Sequence, residues 1–393
     1  MKICYVVDDT IYRPAGVQYA VLNFAGYFRA HGHAVTILHC PHPSIPPRPL
    51  PADVEVVEGG RVRDIPGLSF NGSVSPVPVL GDASPVRELM LQRRFDVMHF
   101  NYPYSPFVSH RIVGLIRELR EAGRPSPRVV MTPHTEVDRL LPRLGTRLIT
   151  AWCRSSIRVA DAFTHSGEPM RRYAEHYMGV RSRLIPFGQA DVDVGDRFSR
   201  RRERTGVLFL GRLDARKGVL DFLRALARMP RQVLDRLDVR VAGDGPQRQA
   251  AEDLARTLGV PASFAGRVSE AERDALYARA DLAVFPAHHG ESFGLVIVEA
   301  MNRGCAIAGY ANVGYADTLG PLAEACLTPP GDVDALACRI RELVESPGRI
   351  EDLGRRLKDE FRKKYSLDVV GPQLLAVYSG QASRSGSRQL ARP

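Results

Sequence analysis

No two of the six cysteines, Cys4, Cys40, Cys153, Cys305, Cys326 and Cys338, form a CxxC pair. That spacing excludes a zinc ribbon and supplies no disulfide framework, so buried free thiols are expected for most of them. No apolar run approaches the ~18 residues of a membrane-crossing helix. The opening MKICYVVDDT turns acidic at Asp8 and Asp9 after an apolar stretch too short for a signal peptide, and a cytoplasmic protein is expected. Zinc-finger and RRM patterns are absent, as is a basic stripe interleaved with aromatics. Nucleic acid is therefore not an expected partner, despite a net charge of +10.

What is present is an ordinary globular composition, 44% hydrophobic and 25% charged over 393 residues, long enough for two or three domains. The positive surplus suits an anionic membrane surface or a phosphorylated small molecule. Its densest cluster, RFSRRRER from Arg197 to Arg204, lacks apolar periodicity and reads as a solvated linker. Strand-like runs alternate with helix-like segments at Ile3–Val7, Ala34–Cys40, Asp96–Asn101, Arg128–Thr132 and Ala162–Ser166. The alternation breaks around Gly188–Arg204 and restarts at Gly206–Leu210, Val239–Gly243, Ala262–Gly266, Leu282–Pro286 and Cys305–Tyr310. This pattern predicts two doubly wound α/β domains in tandem, with ligands beyond the carboxyl ends of the strands and in the cleft between the domains.

Several segments at strand ends carry chemistry. Gly16 in PAGVQ (Pro14–Gln18) opens a helix whose first N–H groups could receive an anion, although a plain strand-to-helix turn accounts for the segment by itself. GRLDARKG (Gly211–Gly218) places Arg212 and Lys217 after the first strand of the second half. A guanidinium fork and an ammonium point charge suit a diphosphate, and two surface cations of a basic protein are the competing reading. VAGDGPQR (Val241–Arg248) lacks the third glycine of a dinucleotide fingerprint and reads as a tight turn. DVD at Asp191–Asp193 lies in the connector, so no metal is assigned to it.

HHGESFGLVIVEAM (His288–Met301) is the least ordinary stretch. A helix is expected to start near Phe293, with Glu291 and Ser292 at its mouth and Glu299 about two turns in, among apolar neighbours. An unpaired carboxylate buried there costs about 3–5 kcal/mol. Glu299 therefore requires a buried arginine, backbone donors or a pair of ligand hydroxyls such as those of ribose.

ESFGLVIVEAM resembles the E-x7-E signature of retaining glycosyltransferases of the GT-B fold, glycosyltransferase family 4. The likeness covers nearly the whole chain through GVQ after the first strand, NGSV at Asn71–Val74, TPHTE at Thr132–Glu136, IPFG, GRLDARKG and GDGP. Within the family it is similar to the actinobacterial phosphatidylinositol mannosyltransferases through AGVQ, NGSV and GESFG. The resemblance implies two Rossmann-like domains facing across a cleft: an acceptor-side domain over 1–190 and a nucleotide-sugar domain over 205–365. A linker over 191–204 would join them, a helix over 366–380 would return to the first domain, and 381–393 would be a disordered tail.

It also implies a catalytic set of His134, Arg212, Lys217 and Glu291. His134 would sit by the anomeric carbon, Arg212 and Lys217 on the diphosphate, and Glu291 at the sugar hydroxyls. Gly16, Arg267, Val268, Ser292, Phe293, Gly294, Leu295 and Glu299 would complete the donor site, with Arg267 and Val268 near the base and Glu299 on the ribose. Gln18, Asn71 and Ser73 would face the acceptor, and neither metal nor cofactor is implied. Three places depart from the family pattern. Ala15–Gly16 replaces a glycine pair, Phe187–Gly188 replaces Asn-Gly, and SPVPVLG follows NGSV where lipid mannosyltransferases carry arginines toward an acceptor phosphate.

The expected reaction is hexosyl transfer, with retention, from GDP-mannose or a UDP-hexose to a lipid, glycan or secondary-metabolite hydroxyl. A sugar phosphorylase of the same fold and a non-catalytic sugar-nucleotide-binding protein are the alternatives. Peripheral membrane contact is a further expectation, through a basic amphipathic helix at Ser84–Phe95 with Val86, Leu89 and Met90 on one side; a helix packed on the sheet fits the same pattern.

Overall fold

The computed structural model describes residues 1–13, 15–50, 54–70, 73–79, 83–101, 108–134, 147–148, 150–198 and 203–381, with side chains described outside 63–77 and 79. It forms two compact units, Met1–Ala190 with Leu367–Pro393, and Asp191–Ser366.

The first unit contains strands β1 (Lys2–Val7), β2 (Ala34–His39), β3 (Glu55–Glu58), β4 (Arg61–Phe70), β5 (Ser73–Val79), β6 (Val97–Asn101), β7 (Arg128–Thr132), β8 (Ala162–His165) and β9 (Arg183–Leu184). Seven of these make a parallel sheet in the order β3-β2-β1-β6-β7-β8-β9. The two-residue period of β1 explains why both faces are covered. Ile3, Tyr5 and Val7 pack with Val21, Phe24 and Phe28 of helix Gly16–Ala30 and with Val370, Leu374 and Val377 of helix Leu367–Tyr378. Cys4 and Val6 face the other way, toward Met90 and Ile112 of helices Ser84–Arg93 and Ser109–Glu121.

Val86 and Met90 are thereby buried in the core, so the apolar side of the Ser84–Arg93 helix faces the sheet and not a membrane. β4 and β5 form a separate antiparallel hairpin containing Pro66, Pro76 and Pro78. Proline lacks the N–H of a ladder donor, which hides such strands from pattern reading.

The second unit contains β10 (Thr205–Leu210), β11 (Leu237–Ala242), β12 (Ala262–Gly266), β13 (Leu282–Phe285), β14 (Ala306–Tyr310) and β15 (Leu327–Thr328). They form a second parallel sheet, ordered β12-β11-β10-β13-β14-β15. The order reverses between β10 and β13, so the loops that follow these two strands flank the crevice where open α/β sheets bind ligands.

The arginine-rich segment is not a solvated linker throughout. Arg197 donates to the carbonyls of Gly304 and Tyr277, each at 3.1 Å, and Phe198 lies against Gly304. Asp191 pairs with Lys358 and with Arg362 at 2.8 Å, while the buried Lys358 ammonium also donates to Val192 O at 2.7 Å. Asp193 Oδ1 accepts from the Gly195 N–H at 2.9 Å.

Candidate active site

β10 and β13 are hydrogen-bonded neighbours, and their pairing at Val207–Leu282 brings the two following loops together. The His288 N–H donates to Arg216 O at 2.9 Å, which stitches loop to loop. The first loop, Gly211–Lys217, is shaped by its own carboxylate: Asp214 Oδ1 accepts from the Lys217 N–H at 3.0 Å. Gly218 then adopts φ +73°, and a Cβ there would lie 2.1 Å from Pro286 O. Only glycine permits both the left-handed turn and that approach. The GDGP turn supports the same loop from below, since a Cβ on Gly245 would lie 2.4 Å from Leu213 O.

This geometry turns Lys217 and Arg216 onto one carboxylate. Lys217 Nζ lies 2.7 Å from Glu291 Oε1, and Arg216 bonds the same oxygen. All three side chains are mostly buried. Arg212 is the outlier of the cluster, half-exposed with its Nε 3.5 Å from Asp214 Oδ2.

Glu291 does not cap the helix as expected. The helix spans Leu295–Asn302, and its N-cap is Gly294 at φ +84°. A Cβ on Gly294 would lie 2.6 Å from the Tyr315 ring, which fixes the residue type and delays the helix by two positions. Ser292 and Phe293 therefore precede the helix, and Leu295 is its first residue. The Glu291–Phe293 loop is pinned from helix Val313–Leu319, where a Cβ on Gly314 would lie 2.1 Å from Glu291 O. Thr318 Oγ1 donates to Phe293 O, and the Phe293 ring is buried at 5.8 Å from Tyr365.

Glu299 is buried, as its apolar surroundings imply. Its partners come from helix Glu270–Arg279: Arg273 Nη1 at 3.1 Å from Oε1, and the Tyr277 hydroxyl donating to Oε2 at 3.2 Å. Burial raises its pKa, and the charges of Arg273 and Arg303 oppose that rise. The carboxylate is thus compensated by protein groups, while the loop residues expected near a base stand by the neighbouring strand. Arg267 is exposed with Nε 3.3 Å from Asp244 Oδ2, and Val268 is half-buried.

In the first unit, Gly16 is the first residue of its helix, and neither it nor Ala15 has positive φ. The Ala15 replacement therefore carries no backbone strain. Gln18 is fully buried and donates to Asp9 Oδ2 at 3.1 Å and Thr10 O at 3.3 Å, so it braces the loop after β1. His134 stands just past β7 with its Nε2 2.9 Å from Asn101 Oδ1 and its ring 5.3 Å from Phe187. Since the amide oxygen only accepts, Nε2 carries the proton. Burial, then the nearby His99, pushes the His134 pKa down to about 3, so the ring is neutral at physiological pH. Asn71 and Glu136 lie outside the described residues, as does the Ser73 side chain.

Arg216, Arg273 and Tyr277, which contact Glu291 and Glu299, are residues that motif reading passes over. A buried Glu299 demands a cation, but nothing local in the sequence marks Arg273, on helix Glu270–Arg279, as the one that answers.

Two family models match the chain, Glycosyltransferase Family 4 over residues 14–188 and Glycosyl transferases group 1 over residues 196–364. A phosphatidyl-myo-inositol mannosyltransferase of Mycolicibacterium smegmatis is 30% identical, covering 96% of this chain and 93% of that protein. The protein of the same description from Propionibacterium freudenreichii is 29% identical, over 96% and 95%. A glycogen synthase of Mycobacterium tuberculosis is 28% identical, over 92% and 89%. Among solved structures, Anabaena Alr3699/HepE in complex with UDP aligns with a TM-score of 0.69 at 18% identity, covering 97% of this chain and all (100%) of that one. A sucrose-phosphate synthase from Thermosynechococcus elongatus aligns at 0.67 and 18%, covering 98% and 100%.

Proposed function

The chain belongs to glycosyltransferase family 4, and from that premise we propose that it transfers a hexosyl unit from GDP-mannose or a UDP-hexose to an acceptor hydroxyl, with retention and without a metal. It is a glycosyltransferase that uses nucleotide sugars; the donor, the stereochemistry and the source of charge stabilisation are our reading. The observation that carries it is the convergence of Lys217, Arg216 and Glu291 at the β10/β13 switch point, on the same segment that places Glu299.

When the bond from the anomeric carbon to the β-phosphate breaks, negative charge grows on the phosphate and positive charge on the sugar ring. Lys217 and Arg212 would meet the first, and Lys217, held in place, would need little reorganisation during the reaction. Glu291, held by Lys217 and Arg216, would face the sugar hydroxyls, and the free N–H groups at the start of helix Leu295–Asn302 would favour an anion there. The acceptor hydroxyl would attack on the face the leaving group departs from, passing its proton to the departing phosphate oxygen. His134 is neutral at physiological pH, so in the reaction it would offer a hydrogen bond and not the charge of an imidazolium.

Glu299 would accept the ribose hydroxyls while Arg273 and Tyr277 keep it oriented. The acceptor is proposed only as a hydroxyl of a lipid, glycan or secondary metabolite. Relatives described as a lipid mannosyltransferase and as a glycogen synthase are 30% and 28% identical, so overall similarity does not choose between such acceptors. Incubation with isotopically labelled GDP-mannose and UDP-hexoses tests the reading. Transfer is expected to persist in chelator and to give a product whose anomeric configuration, read by NMR, matches the donor. Inversion, or loss of turnover on metal removal, would overturn the corresponding part.

A further inference from the structure

The chain has a single tryptophan, Trp152, and it is not in a core. Its side chain is 59% exposed, and Leu148, one helical turn earlier, is 74% exposed. These are the two most exposed large apolar side chains among the described residues. Isolated exposed leucines are unremarkable, but a tryptophan and a leucine set side by side on one helical face are not scattered singles. Residues 147–148 and 150–152 are helical and Arg154–Ile157 continues as helix. Thr150, Cys153, Ser156 and Ile157 point inward and are buried, while Arg147, Leu148, Ala151, Trp152, Arg154, Ser155 and Arg158 are exposed. Ser156 Oγ, 2.6 Å from His110 Nδ1, ties the inner side to helix Ser109–Glu121.

The rim of this face carries one sign of charge. From Arg147 to Ala160 the sequence has no Asp or Glu and three arginines: Arg147, Arg154 and Arg158. Arg147, Arg154 and Arg158 are exposed, and none of the three forms an ion pair among the described residues. A second copy would set these cations against each other, whereas an anionic surface would complement them. Tryptophan is the side chain best suited to the boundary between headgroups and acyl chains, and arginine stems can lie along apolar material with their heads in water.

We infer that the face presented by Leu148 and Trp152, ringed by Arg147, Arg154 and Arg158, is a docking surface for an anionic lipid bilayer. Trp152 and Leu148 enter the interface, and the arginines meet the headgroup phosphates. This replaces the Ser84–Arg93 helix, whose apolar residues the core already holds, as the place of membrane contact.

Because the chain holds one tryptophan, its emission reports on this face alone. Vesicles of phosphatidylcholine with phosphatidylglycerol are expected to shift the emission to the blue and to co-sediment the full chain; phosphatidylcholine alone is not. Added salt should weaken the effect. Arg154→Glu with Arg158→Glu should lower partitioning on the order of tenfold or more. Leu148→Ser, which keeps the reporter, should reduce both the shift and the binding, with circular dichroism checking the fold of each variant.

Sedimentation with unchanged emission would overturn the inference, since contact would then lie elsewhere, and so would absence of binding to anionic vesicles. A blue shift that grows with protein concentration without lipid would assign the face to a second copy instead, and would equally overturn it. No sugar nucleotide enters the measurement, so its failure leaves the transferase reading standing.

Discussion

Glu291 and Glu299 are eight residues apart and are compensated in different ways. Glu291 meets two cations from the loop after β10, at a sheet crevice. Glu299 is buried against one arginine and one phenol from a helix of the same unit. The first arrangement holds the Lys217 ammonium beside Glu291, where the proposed reading has it meet the leaving phosphate. Lys217→Ala is therefore expected to lower kcat by about 100-fold or more, with a much smaller change in KM, in steady-state assays with saturating acceptor. Equal effects on both would remove it from the leaving-group role.

The second arrangement predicts a pH effect. Burial raises the Glu299 pKa, and Arg273 is the first charge opposing it, with Arg303 second and Asp274 acting in the contrary direction. In Arg273→Met the pKa rises further, so the ionised acceptor is lost at a higher pH. As pH is lowered, nucleotide affinity in this variant should begin to fall at a higher pH than in the parent chain; calorimetric titration of both across pH reads this directly. The need for a partner at Glu299 was legible in its apolar setting. Which residue answers it was not, because Arg273 reaches Glu299 through helix packing that no local spacing encodes.

At the scale of elements, the site exists because β10 and β13 are neighbours where the strand order reverses. The alternation of apolar runs with helical segments made both sheets legible. Their order, and hence the meeting of GRLDARKG with HHGESFG, is a tertiary fact. The start of the second-unit helix was misplaced for a local reason: Gly294 takes a left-handed conformation under the Tyr315 ring. The Arg197–Arg204 stretch misled because a half-buried, hydrogen-bonded arginine and a solvated one look alike until the carbonyls of Gly304 and Tyr277 are in place.

Gly218 makes the strongest demand of any residue in these loops. Gly218→Ala adds both a positive-φ penalty and a clash with Pro286 O, for a loss on the order of 2–4 kcal/mol. Chemical denaturation should place that loss in the second unit, and the displaced Lys217 should lower kcat in whatever fraction stays folded.

At the scale of the molecule, the first unit is completed by chain that follows the second. Leu367, Val370, Leu374 and Val377 are buried in its core. Four such side chains at ~1.5–3 kcal/mol each sum to about 6–12 kcal/mol. A typical domain holds only about 5–15 kcal/mol in total. Truncation before Leu367 should therefore unfold the first unit while leaving the second protected in hydrogen exchange.

The same unit should be acid-sensitive. His99 and His134 are both pushed from 6.5 to about 3, chiefly by burial. Each is neutral when folded and takes up a proton on unfolding once pH drops below 6.5. Stability should then fall by about 1.4 kcal/mol per pH unit for each histidine between those limits, and be unaffected by them above. Denaturation midpoints measured from pH 8 to pH 4 check the sign.

In the proposed reading, Glu299 and the loops after β10 and β13 form a sugar-nucleotide site. Calorimetric titration of the parent chain and of Glu299→Ala with GDP and UDP tests it most directly. One of the two nucleotides should bind the parent, and the folded variant should bind it about tenfold or more weakly, as expected for losing a charged acceptor of two hydroxyl hydrogen bonds. Unchanged affinity in a folded Glu299→Ala chain, or no binding of either nucleotide to the parent, would rule out a sugar-nucleotide site there.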